Sequence, residues 1–245
     1  MRRAAVVGLA VTVFLALPDS ARSDTAKTIA EAAAAAALVG VMCSSIALTD
    51  EAEIVEDDFA RRGWFVGVAG SYAFATFEDD AEKNFQKTLG PATDLSVDDS
   101  AGFNGRVGYR CNRRFAAEVQ TEWIDGFDGD LTQPRVDPLA DVEFDPIVVT
   151  ANVKGYLLTG RYQPFLLVGA GAMTADVNIR NPVGLAFTGI ESESENAFAM
   201  RFGGGIELYA TENVVVTLET DYVFPFGKLD DLRYVTIGWG VQYRF

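Results

Sequence analysis

Tyr234-Val235-Thr236-Ile237-Gly238-Trp239-Gly240-Val241-Gln242-Tyr243-Arg244-Phe245 is the stretch that decides the fold. In an extended strand, side chains alternate between two faces. Val235, Ile237, Trp239, Val241, Tyr243 and Phe245 then share one face, and Tyr234, Thr236, Gly238, Gly240, Gln242 and Arg244 share the other. An aromatic strand with no polar tail invites edge-to-edge aggregation unless it is closed into a barrel whose apolar side meets something apolar. Lipid satisfies both conditions.

The same alternation recurs upstream. Eight strands are predicted, over 64–77, 101–110, 115–124, 147–158, 165–176, 198–209, 214–224 and 234–245. In 115–124, Phe115, Ala117, Val119, Thr121 and Trp123 oppose Glu118, Gln120 and Glu122. The fifth strand is Gly/Ala-rich, and its faces are not assignable from sequence. Each segment is near the 9–11 residues that cross a bilayer with tilt.

Connections alternate in length. Residues 111–114, 159–163 and 210–213 are tight turns, whereas 78–99, 125–145, 177–197 and the shorter 225–233 are acidic loops. Short turns at one end and long loops at the other, with an even strand count, predict an eight-stranded antiparallel up-and-down transmembrane β-barrel with both termini in the periplasm.

The polar faces carry Arg106, Arg110, Lys154, Arg201 and Arg244 with Glu118, Glu122, Glu207, Glu219 and Asp221. Five charges of each sign are balanced, although the 245-residue chain has a formal net charge of −15. A solvated face has no reason to balance its charges; an enclosed one does, because an unpaired buried charge is costly. These ten residues are therefore expected to form a network filling the lumen, which in an eight-stranded barrel is just wide enough for side chains. Gly108, Gly203, Gly205, Gly238 and Gly240 are expected to make room for its long arms. The outward aromatics suit interfacial girdles.

From Trp64 to Phe245 the chain resembles the small outer-membrane β-barrel proteins, the porin-like group that includes the opacity-type and OmpA-type eight-stranded barrels. The resemblance rests on Asn152-Val153-Lys154-Gly155-Tyr156, on Pro164-Phe165 with Gly169-Ala170-Gly171, and on terminal Tyr243-Arg244-Phe245. Gly240, Tyr243 and Phe245 are similar to the signal read by the barrel-assembly machinery; Gly238 stands where a polar residue is usual. The resemblance implies the bacterial cell outer membrane, with outer-membrane lipid, lipopolysaccharide and the assembly machinery as partners.

The N-terminal part reads as export leader and lead-in. Arg2-Arg3 precede an apolar run over 4–17, and Ala21-Arg22-Ser23 offers small residues for cleavage. A second signal-like segment follows Lys27 and ends at Ser45-Ile46-Ala47, so the expected organisation is a leader over 1–47, cut near 23 or 47, a flexible periplasmic lead-in over 48–63 and the barrel over 64–245. A cut after Ala47 leaves Cys111 as a lone thiol in a turn. Cys43 follows Met42, not the small residue that a lipidation site wants.

Chemistry is sparse. The chain has no histidine, which excludes Ser-His and Asp-His mechanisms. Glu118/Glu122 and Glu219/Asp221 fit salt bridges better than an acid/base pair, and the glycine runs at 169–171 and 203–205 lie in strands without a following helix. No catalytic residue, cofactor or metal is assigned. The acidic balance excludes nucleic acid as a partner. Glu78-Asp79-Asp80 and Glu191-Ser192-Glu193-Ser194-Glu195 are expected to bind divalent cations bridging to lipopolysaccharide, to meet a basic partner on another cell, or to be solvated loops. The expected role is structural or surface-interacting. A narrow channel or small-molecule conduit and a soluble periplasmic ligand-binding barrel are the alternatives.

Overall fold

The computed structural model describes residues 59–76, 94–133, 136–180, 193–230 and 232–245. Ten strands run β1 (Gly63–Ala75), β2 (Asp94–Val97), β3 (Ser100–Arg110), β4 (Phe115–Ile124), β5 (Phe127–Gln133), β6 (Val136–Tyr156), β7 (Tyr162–Arg180), β8 (Glu193–Tyr209), β9 (Val214–Pro225) and β10 (Tyr234–Arg244). Eight of them, β1-β3-β4-β6-β7-β8-β9-β10, form a ring. β1 pairs antiparallel with both β3 and β10, and β6 with both β4 and β7, so no edge is left in the wall. The predicted eight-stranded antiparallel barrel is the observed one.

Alternation sorts side chains as the sequence requires. Val68 and Leu166 are more than 60% exposed and Trp239 is 58% exposed, while Arg110, Lys154 and Arg201 are at 0%. Greasy side chains clothe the outside and ionic ones are sealed within, the reverse of a soluble barrel. β7, whose faces could not be assigned, turns Gln163, Phe165, Leu167, Met173 and Ala175 inward and Leu166 and Val168 outward. A side chain at Gly169 would collide with the Asn152 amide, and one at Gly171 with the Val149 carbonyl. Glycine there lets β7 close on β6.

Three expectations are corrected. Residues 127–144 are not a structureless loop. β5 pairs with the N-terminal half of β6, β2 pairs with β5, and β6 reaches 21 residues. Above the bilayer both faces of a strand can be wet, so no apolar alternation marks it. Similarly β7 and β8 run to 19 and 17 residues, past the length that crosses lipid. Second, the end of the lead-in is packed: Ala60 is buried, and the Phe59 ring lies 5.4 Å from that of Tyr209. Third, Cys111 is not a free thiol but disulfide-bonded.

Short turns are built by local side-chain acceptors. Asn112 Oδ1 accepts from the Arg114 and Phe115 backbone N–H groups, both at 2.8 Å, between β3 and β4. Thr211 Oγ1 does the same for Asn213 and Val214 between β8 and β9. The β9–β10 connection is a 3₁₀ turn, Gly227–Leu229, entered at Gly227 with φ of 82°.

Candidate functional site: the sealed lumen

The lumen is filled in layers, beginning at the short-turn end. Arg110 donates through Nε to the Asn112 carbonyl at 2.9 Å and through Nη1 to Gln163 Oε1 at 3.0 Å, and its guanidinium stacks 3.4 Å from the centroid of the Tyr156 ring. Arg244 donates to the carbonyls of Phe59 at 3.1 Å and Arg61 at 3.2 Å, and closely contacts the Tyr209 hydroxyl. These two predicted members thus fasten turns and lead-in across the mouth. They stand apart from the carboxylates. Above them Phe65, Ala116, Tyr156, Phe165 and Leu167 form an apolar layer.

The other eight predicted residues meet mid-barrel in two groups. In the lower, Arg106 grips both oxygens of Glu219, with Nη1 to Oε2 at 2.6 Å, and donates from Nη2 to Asn104 Oδ1 at 2.8 Å. Lys154 Nζ lies 3.0 Å from Glu118 Oε2 and 3.8 Å from both Glu207 Oε1 and Glu219 Oε2. In the upper, Arg201 reaches Glu122 Oε2 at 2.7 Å and Asp221 Oδ2 at 3.0 Å. β3 and β9 are not neighbours in the wall, nor are β4 and β8, so the Arg106–Glu219 and Arg201–Glu122 pairs span the lumen, whereas Lys154–Glu118 and Arg201–Asp221 join adjacent strands.

Sequence reasoning missed two tyrosines. With Arg110 and Arg244 elsewhere, three cations face five carboxylates, one surplus carboxylate in each group. Tyr156 donates its hydroxyl to Glu207 Oε1 at 2.9 Å, and Tyr234 donates to Glu122 Oε2 at 3.3 Å. A hydrogen bond to an ionised acceptor is about twice as strong as a neutral one, so each tyrosine serves the group with a carboxylate to spare. Their position opposite apolar neighbours on inward faces was the only signal.

An apolar layer closes the long-loop end. Ile124, Phe127, Val148, Met173, Val223 and Tyr234 pack with Leu229 and Leu232 from the β9–β10 connection. The glycines act mainly on the wall. A side chain at Gly108, Gly205 or Gly240 would collide with the neighbouring strand's backbone, and one at Gly203 with Asp221, whereas at Gly238 the nearest atoms are 3.6 Å away. Gly238 is therefore not needed for clearance, contrary to expectation.

At the end of β10, Tyr243 and the following Phe245 point outward with ring centroids 5.3 Å apart, and the Phe245 N–H reaches the Trp64 carbonyl at 2.9 Å, seating the strand end on β1. Gly240 faces the lumen against Val68 and Ala69. Among the described residues no cluster of histidine, cysteine or carboxylate could hold a metal. Glu78-Asp79-Asp80 and the side chains of the 191–195 run lie outside the described residues.

No curated protein matches the sequence. Among solved structures, the outer membrane protein OprG of Pseudomonas aeruginosa aligns with a TM-score of 0.51 at 15% identity, over 75% of this chain and 96% of that one. Ail, the attachment invasion locus protein of Yersinia pestis, aligns with a TM-score of 0.44 at 22% identity, over 75% and 97%. E. coli outer membrane protein W aligns with a TM-score of 0.41 at 13% identity, over 75% and 97%. The family model described as outer membrane protein beta-barrel domain matches residues 33–245. The chain is accordingly a protein of the bacterial outer membrane and belongs to the outer-membrane β-barrel domain family.

Proposed function

We propose that this protein is a structural and surface-interaction barrel of the outer membrane, with a lumen that does not conduct, and that it is not an enzyme. One observation carries the reading: between two apolar layers, Arg106, Lys154 and Arg201 are each at most 5% exposed and paired with carboxylates, Arg106 and Arg201 with Glu219 and Glu122 from non-adjacent strands and Lys154 with Glu118 from the adjacent one. An ion entering would have to displace paired charges from a site with little water, at a cost of several kcal/mol per ion. Recording of the refolded protein in planar bilayers tests this. Flat traces at high salt are expected; steady unitary openings would refute the plug and favour a narrow channel.

With the lumen closed, contact with the outside falls to the extracellular loops, where lipopolysaccharide or a basic surface partner are the fitting ligands for acidic display, the former through bridging cations. Gly240, Tyr243 and Phe245 serve as the signal for the assembly machinery in this reading. The same reading includes an export leader over 1–47, cut near Ser23 or near Ala47. Intact-mass measurement of the envelope protein, with and without reductant, decides between the two cuts.

A further inference from the structure

The short-turn end carries a charge opposite to that of the chain. Arg62 in the lead-in, Arg114 in the β3–β4 turn and Arg161 in the β6–β7 turn are all exposed, and Arg113 is half-buried beside them. Arg61 lies 3.8 Å from Glu212, the one acidic side chain among the described residues of this rim. Among the described residues, five cationic side chains thus stand with one acidic side chain in a protein of formal net charge −15, and every one of the five is arginine. In outer-membrane barrels this end faces the periplasm, level with the headgroups of the inner leaflet.

Apolar side chains share the rim. Leu157, Leu158 and Tyr162, which flank Arg161 in sequence, are each 58–60% exposed. Exposed leucines at a water-facing turn are wasteful unless acyl chains cover them, and the Phe115 ring continues the lipid-facing surface beside Arg114. A guanidinium just below such residues can run its stem along the apolar surface and offer its planar fork to a phosphate.

We propose that this rim is a binding surface for anionic phospholipid headgroups of the periplasmic leaflet, with Arg62, Arg114 and Arg161 as the phosphate-gripping residues and Leu157, Leu158 and Tyr162 as the acyl-facing shelf. The proposal holds whether or not the lumen conducts. Two competing occupants make different predictions. The chain's own acidic stretch, Glu51, Glu53, Glu56, Asp57 and Asp58, precedes the rim in sequence. The carboxylates of peptidoglycan are the other.

The test uses the full chain refolded in phosphatidylcholine nanodiscs doped with phosphatidylglycerol, extracted mildly, and read by native mass spectrometry of retained lipid. Each arginine near a charged bilayer favours anionic lipid by about fivefold before screening. The native chain should therefore retain phosphatidylglycerol over phosphatidylcholine on the order of tenfold or more above the bulk ratio. Arg62→Gln with Arg114→Gln and Arg161→Gln should return it to the bulk ratio, and raised salt should do likewise. Because Arg161 also donates to the Tyr209 carbonyl at 2.9 Å, the Arg62→Gln/Arg114→Gln pair provides a variant without that contact to lose; it should give a partial loss. Gel mobility before and after heating confirms the fold of each. Undiminished enrichment in the triple variant would overturn the proposal. So would enrichment appearing only after the five lead-in acids are neutralised, or binding of the native chain to purified peptidoglycan without lipid selectivity.

Discussion

Arg201 is fully buried, and its two carboxylate partners come from β4 and β9. Burial of such a group is not stabilising in itself, since desolvation can exceed the Coulombic gain; removing one partner is what costs, about 3–5 kcal/mol. Arg201→Ala strands Glu122 and Asp221 together in the lumen and is expected to lower unfolding free energy by about that amount. Replacing all three as Arg201→Met, Glu122→Gln and Asp221→Asn leaves no uncompensated charge and should cost clearly less. Urea unfolding in lipid vesicles measures both; equal losses would show that the trio acts by packing alone. Glycine supplies a second contrast. A methyl at Gly203 meets Asp221 and sits 2.8 Å from the Thr220 carbonyl, while at Gly238 it has room. Gly203→Ala should cost about 1–3 kcal/mol and Gly238→Ala less than about 0.5 kcal/mol, read as a shift in the temperature at which gel mobility changes.

Strands were legible in sequence where the bilayer imposes one apolar and one enclosed face. β4 shows this in Phe115 through Ile124, whose bounds are those predicted, and β10 in Trp239, Val241 and Tyr243. Legibility fails where that contrast disappears. β5 and the first half of β6 stand in water, and β7 has small residues on both faces around Gly169 and Gly171 because its backbone presses against β6. The lumen was legible as a set of charges, not as pairings: which cation meets which carboxylate depends on heights around the ring, and Arg110 and Arg244 sit too near the mouth to join. The projecting hairpin makes a prediction of its own. Its ladder lies beyond the β4–β6 pairs, which end at Trp123 and Ile147. Replacing residues 128–143 by a short Gly-Ser turn should leave a heat-modifiable barrel, with Phe127 still in place to cap the lumen. Loss of that mobility shift would mean that the hairpin is needed for closure.

Closure governs how the whole molecule opens. Because β1 joins β3 to β10, no wall strand can fray without breaking two ladders, and in lipid every freed N–H and C=O would lack a partner. The wall should therefore open only as a unit, whereas β2 pairs through four residues to β5 and borders water. Protection from hydrogen exchange reports local opening free energies, from near zero in frayed segments up to the global value. In lipid nanodiscs, amides of β1, β3, β4, β8, β9 and β10 between the girdles are expected to exchange together and slowest. Those of β2 and β5 should exchange faster by orders of magnitude, with the upper half of β7 between them, since it stays paired with both β6 and β8 up to Val177. Protection graded strand by strand around the ring would contradict this, because it would require an edge that the pairing does not leave.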